Sequence, residues 1–91
     1  MKRVVVAAAL CLTVVVPMSA WAGASCKANP KAEWMSEADA KTKIAAQGYT
    51  ISVFKVDGNC YEIYGRNKDG KKVEIYFDTK TLDVVKAEIE K

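Results

Sequence analysis

From Ile51 onward, apolar and polar residues alternate with the period of two that marks a half-buried strand. In "FKVDGNCYEIYG" (Phe54 to Gly65) two such runs flank Gly58-Asn59, which reads as a two-residue hairpin loop tolerating φ > 0 at both positions. That loop sets Val56 opposite Tyr61, Phe54 opposite Ile63 and Lys55 opposite Glu62. "NKDGKK" supplies the next turn, with Gly70 at a bulge position, and pairing Asn67 with Lys71 sets Ile63 opposite Ile75, Tyr61 opposite Phe77 and Glu62 opposite Tyr76. Both hairpins independently place Phe54, Val56, Tyr61, Ile63, Val73, Ile75 and Phe77 on one face, an agreement that a one-residue slip would destroy. The other face carries Ile51, Val53, Tyr64 and Tyr76 among Lys55, Glu62, Glu74 and Lys86.

Upstream the period changes. Ser36 is an N-cap candidate, with Asp39 three residues on in the capping-box-like "SEAD". The helix is expected through "EADAKTKIAAQ" and to stop at Gly48, a residue suited to the left-handed position after a helix. Its apolar stripe is thin (Ala40, Ile44 and Ala45, helped by Trp34 and Met35), so it must lie on the sheet. The tail "TLDVVKAEIEK" fits both periods: Leu82, Val85 and Ile89 a helix, Val85, Ala87 and Ile89 a strand. Val84-Val85 and the preceding "DTKT" turn favour the strand. The expected architecture is therefore α+β, one α-helix packed on a four-stranded antiparallel meander.

The N-terminus follows neither pattern. After "MKR" comes the unbroken apolar run "VVVAAALCLTVVV", then Pro17, then "AWA" with small residues where signal peptidase reads −3 and −1. Residues 1–22 are expected to be a signal peptide cleaved after Ala22. The run is shorter than the roughly 20 residues of a membrane span. The alternatives are an uncleaved anchor, or a lipoprotein built on Cys26 after "GAS", although Gly23 stands where a lipobox wants an aliphatic residue. Residues 23–35 read as an irregular lead-in, interrupted by Pro30, and residues 36–91 as the folded domain. Removing Lys2 and Arg3 from the 14 basic side chains leaves 12 against 11 acidic ones, a net charge of +1. That balance calls for neither nucleic acid nor an anionic membrane, and membrane contact is expected only through the signal peptide during export.

Cysteine usage points the same way. Cys11 leaves with the signal peptide, so Cys26 and Cys60 have one possible intramolecular pairing in a periplasmic or secreted domain whose core alone is marginal. The alternatives are two free thiols or an intermolecular bridge.

Candidate chemistry is sparse. The chain has no histidine, the expected disulfide consumes both mature cysteines, and the carboxylates are scattered through turn-like contexts where Asp commonly bonds its own backbone. "DGN" and "KDGK" lack the run of ligands a calcium loop needs. No catalytic residue, cofactor or metal site is expected. The outer sheet face reads either as a solvated surface of cross-strand pairs or as a partner surface formed by Val53, Lys55, Glu62, Tyr64, Glu74 and Tyr76. An uncovered edge strand offers a second mode of contact, strand addition by an extended peptide.

The helix start "SEADAKTKIAAQGYTI", followed by "VFKVDGNCYEIYGRNKDGKKVEIYFD" and "VVKAEI", resembles the PepSY domain, most closely its small exported stand-alone form. The resemblance runs from about Trp34 to Ile89. It rests chiefly on Gly48-Tyr49 after the helix, the "DG" turn before a Tyr-containing strand, and "KDGKKVEIYFD". One departure is Leu82, which stands where family members often carry a glycine in the last turn, so a wider turn is expected and the register of the last strand stays open. The resemblance implies a regulatory or inhibitory, non-catalytic role toward a protein of the cell envelope, such as a peptidase. Its alternative is an accessory or sensory role beside a membrane cytochrome or a two-component protein. The 91 residues contain no peptidase domain, and fold alone does not assign function.

Overall fold

Four strands form one antiparallel meander in the order β1-β2-β3-β4, with β1 Thr50–Asp57, β2 Cys60–Arg66, β3 Lys72–Asp78 and β4 Val84–Ile89. A computed structural model describes residues 23–90; the expected signal peptide, residues 1–22, lies outside them. The paired registers are those the alternation requires. Phe54 faces Ile63 and Val56 faces Tyr61 in the first hairpin, while Ile63 faces Ile75 and Tyr61 faces Phe77 in the second.

The turns explain the registers. Gly58 has φ +61° whereas Asn59 is not left-handed, so the first loop is of type II′ rather than positive at both positions. In the second, Gly70 sits at φ +81°, its N–H donates to Asn67 O (2.9 Å), and Asn67 N–H donates to Lys71 O (2.9 Å). Asn67 Oδ1 then accepts from the N–H groups of Asp69 and Lys71, fixing the loop from inside.

Helix α1, Glu37–Ala46, begins where Ser36 Oγ accepts from Asp39 N–H at 3.1 Å. It buries only Ala40 and Ile44, which join Tyr61, Ile63, Val73, Ile75, Phe77 and Leu82 in the core. Trp34, Met35, Tyr49, Ile51 and Phe54 close its margin. A ten-residue helix spans about 15 Å, too little to roof the whole sheet. Val56 therefore keeps the expected face but stays 43% exposed, and β4 presents Val84, Val85 and Ile89 to solvent.

Two departures from strict alternation matter. Ile51 pairs with Gly65 and Val53 with Tyr64, so Ser52 is an extra residue in β1. This bulge turns Ile51 from the expected outer face onto the core side. Gly65 lies where the bulged strand crosses, and a Cβ there would come within 2.0 Å of Thr50 O.

The second departure is the last turn. Leu82 takes φ +64°, the conformation that suits the glycine it replaces. A left-handed non-glycine residue costs about 1–2 kcal/mol, which burial of the Leu82 side chain, 7% exposed, offsets. The expected wider turn does not occur: because Leu82 adopts the glycine-like conformation, the turn stays tight, with Leu82 N–H donating to Asp78 O and Asp78 N–H to Asp83 O, both at 2.9 Å. The register of the last strand, left open by the sequence, shifts at a bulge, Tyr76 pairing with Lys86 but Phe77 with Val84.

The segment before the helix is irregular except for a 3-10 turn at Lys31–Glu33, yet it is firmly tied. Cys26 and Cys60 form the disulfide, with Cα atoms 5.4 Å apart. Cys60 alternates with Glu62 and Tyr64, so the segment reaches the sheet from its outer side. The bridge packs with Cys26 Sγ 3.7 Å from Phe77 O and Cys60 Sγ 3.5 Å from Ala24 O, contacts of oxidised sulfur that involve no thiol proton. Farther along, Asn29 Nδ2 donates to Asp78 Oδ1 (2.9 Å) and Thr79 Oγ1 (3.3 Å). Trp34 Nε1 donates back to Asn29 O (2.8 Å), and Met35 N–H donates to Thr79 O (2.8 Å). By Trp34 the chain has rounded the end of the sheet, where the indole meets Tyr61 edge to face at 5.5 Å. Tyr61 OH donates to Met35 O. Burial opposes ionisation of Asp78, but donors from Thr81, Lys80 and Asn29 outweigh it and hold the carboxyl below its ordinary range.

Candidate functional site

The outer face gathers side chains from all four strands. Pairing of Val53 with Tyr64, Lys55 with Glu62, Glu62 with Tyr76 and Tyr64 with Glu74 makes Glu62 and Glu74 diagonal neighbours between two tyrosines. Tyr76 OH donates to Glu74 Oε2 at 2.9 Å. Lys55 Nζ lies 3.7 Å from Glu62 Oε1 and 5.2 Å from the centre of the Tyr64 ring. From β4, Lys86 lies 5.9 Å over the Tyr76 ring and 3.4 Å from Glu88 Oε2.

These residues form two layers. Glu62 is 1% exposed and Tyr76 5%, whereas Val53 is 46% and Tyr64 38% exposed. Glu74 is intermediate, and half of the Lys55 side chain is open to solvent. Residues 23–26 contribute to the cover, since a Cβ at Gly23 would lie 3.4 Å from the Tyr76 ring. Of the six residues expected to face a partner, Val53, Lys55 and Tyr64 are open to solvent. Glu62 and Tyr76 support that layer from beneath, and Glu74 bridges the two. Tyr64 also lines two adjoining depressions of about 280 and 190 Å³ at the end of the sheet farther from the disulfide.

The buried carboxyl sets the electrostatics. Ionised, Glu62 has Oε2 buried with no hydrogen-bond donor; protonated, it has a proton to give to Glu74. Burial first, and the bond to Glu74 second, raise the Glu62 carboxyl above its ordinary range. Glu74, stabilised as the anion by Glu62 and then Tyr76 against the effect of burial, falls below it. The pair thus holds one proton between the depressed value of Glu74 and the raised value of Glu62. Hydrogen bonding to Glu62, then burial, then the charges of Glu62 and Glu74, push Tyr64 up to about 12. Burial and the bond to Glu74 raise Tyr76 further.

The linkage has a definite sign. Folding favours the protonated form of Glu62, so its contribution is complete below the ordinary glutamate pKa and is lost as pH rises through the raised folded value. Glu74 acts oppositely, contributing above the ordinary value and losing its contribution as pH falls through the depressed one. Glu62→Gln retains an N–H donor toward Glu74 without a charge to bury. At neutral pH it is expected to match or exceed the parent in stability, by on the order of 1 kcal/mol, the scale of one unsatisfied buried polar group. It should also flatten the decline in stability above pH ~4.5, the region in which the parent's Glu62 ionises. Urea unfolding from pH 4 to 8 reads both; a variant less stable than the parent at pH 7 would refute this account.

Among the described residues, no group of three or more Cys, Asp and Glu is arranged to hold a metal ion. Alternation identified the outer face, but it gave no sign that a mid-strand glutamate would be buried there. The signal that could have done so is Cys60, whose outward position obliges Cys26 to bring its segment across that side. No curated protein and no solved structure matches the chain. A family model described as "Peptidase propeptide and YPEB domain" matches residues 5–88, nearly the full length. The chain, with its single helix on a four-stranded antiparallel sheet, belongs to this PepSY family of non-catalytic modules.

Proposed function

We propose that the protein is an exported regulatory module that acts in the periplasm or outside the cell, modulating or inhibiting a peptidase or another envelope protein by contact. The observation that carries this reading is the layered outer face. Val53, Tyr64 and the Lys55 stem offer an apolar and aromatic contact patch, and the buried Glu62 and Tyr76, with the half-buried Glu74, support it from beneath. Rigid aromatic anchors on a supported surface are the usual centres of binding energy. Family membership supports a role in restraining or assisting other proteins, and the cysteine bridge fits an oxidising compartment.

The test is capture of partners from a periplasmic extract by the parent and by Val53→Ser/Tyr64→Ser. Both changed residues are exposed, so the variant is expected to fold. Recovery of the specific partner should fall by about tenfold or more, the loss of one or two binding anchors. Equal recovery by both proteins would rule out this face. A peptidase among the captured proteins supports the inhibitory form of the proposal; a cytochrome or sensor kinase in its place overturns that form.

A further inference from the structure

We propose that β4 is a self-association edge, along which a second copy of this chain adds its own β4 in antiparallel register about a two-fold axis at Ala87. The argument is independent of the outer-face reading. It begins with the backbone. Glu90 N–H donates to Lys72 O at 2.9 Å, so Glu90, Glu88 and Lys86 turn their backbone groups toward β3. By antiparallel alternation Ile89 and Ala87 turn theirs away from the sheet, and Val85, the extra residue of the bulge, has no register partner on β3. A strand whose outward groups lie on residues 85, 87 and 89 can meet its own copy with Ala87 opposite Ala87. Val85 then exchanges hydrogen bonds with Ile89 of the second copy, and Ile89 with Val85.

The side chains fit the same register. It places Lys86 opposite Glu88 of the second copy and Glu88 opposite its Lys86, two opposite-charge cross-strand pairs. Within one copy Lys86 and Glu88 already lie 3.4 Å apart, so association builds an alternating row of four charges on the outer face. On the other face, Val85 and Ile89, 42% and 54% exposed, meet across the axis and extend the apolar inner layer beyond the reach of α1. Such an interface is isologous, each copy using the same residues. Each edge strand carries one bulge, at Ser52 in β1 and at Val84-Val85 in β4, and it is the stretch after the second that holds the self-complementary Lys86 and Glu88.

The experiment is sedimentation velocity over a concentration series on protein purified after expression of the complete chain. The parent is expected to show a reversible monomer–dimer equilibrium. Lys86→Glu places like charges opposite each other twice and should weaken association by about tenfold. Glu88→Lys should do the same. An equimolar mixture of these two variants restores both opposite-charge pairs and should associate at least as well as the parent. Ala87→Pro removes the outward N–H at the axis while leaving the bonds to β3 in place. It should be monomeric, with an unchanged far-ultraviolet circular dichroism spectrum. A parent that remains monomeric at every concentration would overturn the proposal, as would a mixture no better than its components or a dimeric Ala87→Pro.

Discussion

Breaking the Cys26–Cys60 bond, by reductant or by Cys26→Ala/Cys60→Ala, is expected to cost about 4 kcal/mol of folding stability. The bridged residues are 34 apart in sequence, and closing a loop of that length removes roughly this much conformational freedom from the unfolded chain in the loop-entropy account. A domain of this size has only about 3–10 kcal/mol to lose. The small core makes the loss decisive: α1 contributes just Ala40 and Ile44 to it, and β4 is largely outside it. A second effect acts in the same direction in the native state. Without the covalent tie, the residues beside Tyr76 and Cys60 are held to the sheet chiefly through Asn29 and its bonds to Asp78 and Thr79. Thermal melts followed by circular dichroism, with and without reductant, should differ by on the order of 20 °C. A shift below a few degrees would show that the helix and sheet hold together without the bridge.

Gly65→Ala is expected to be nearly as damaging, at about 3 kcal/mol, the upper range for forcing atoms into a filled site. The added methyl would sit 2.0 Å from Thr50 O, 3.0 Å from Thr50 C and 3.2 Å from Ile51 Cα. These are backbone atoms of the neighbouring strand, so no side-chain rotation relieves the clash. Relief requires β1 to move away at the bulge, which withdraws Ile51 from the core margin. Gly70→Ala provides the comparison. It meets nothing within 4 Å but sits at φ +81°, so it should cost only about 1 kcal/mol, the penalty for a left-handed alanine. Urea denaturation of the two variants separates crowding from backbone conformation. The steric account fails if Gly65→Ala is the milder of the two.

Much of this arrangement is legible in the residues alone. Two glycine-bearing turns, each read separately, fix the same inner face, and Ser36 and Gly48 mark the helix. The disulfide follows from there being only two cysteines beyond the apolar N-terminal run. What alternation does not reveal has identifiable physical causes. An extra residue such as Ser52 leaves the apolar pattern locally plausible on either face, so the inward turn of Ile51 is hidden. Leu82 is a poor left-handed residue by local preference, and its conformation becomes tolerable only because the core accepts its side chain. Val56 lies on the inward side, but the short helix does not cover it. Glu62 looks like a solvated strand position until Tyr76, Tyr64 and the crossing N-terminal segment are all placed around it. Each miss reflects tertiary packing that overrides a local signal.

The tethers outside the ladder are unevenly placed. The Cys26–Cys60 link, the Asn29 bonds and the Met35–Thr79 bond all grip the sheet where β2 begins and β3 ends. The opposite rim carries the Asn67–Lys71 loop, the start of β1 and the last residues of β4. Thermal excursions should therefore grow with distance from the gripped rim, so that the sheet flexes like a cantilever clamped at one edge. Amide exchange would be slowest near Cys60 and Phe77 and would quicken toward Arg66, Lys72 and Ile89.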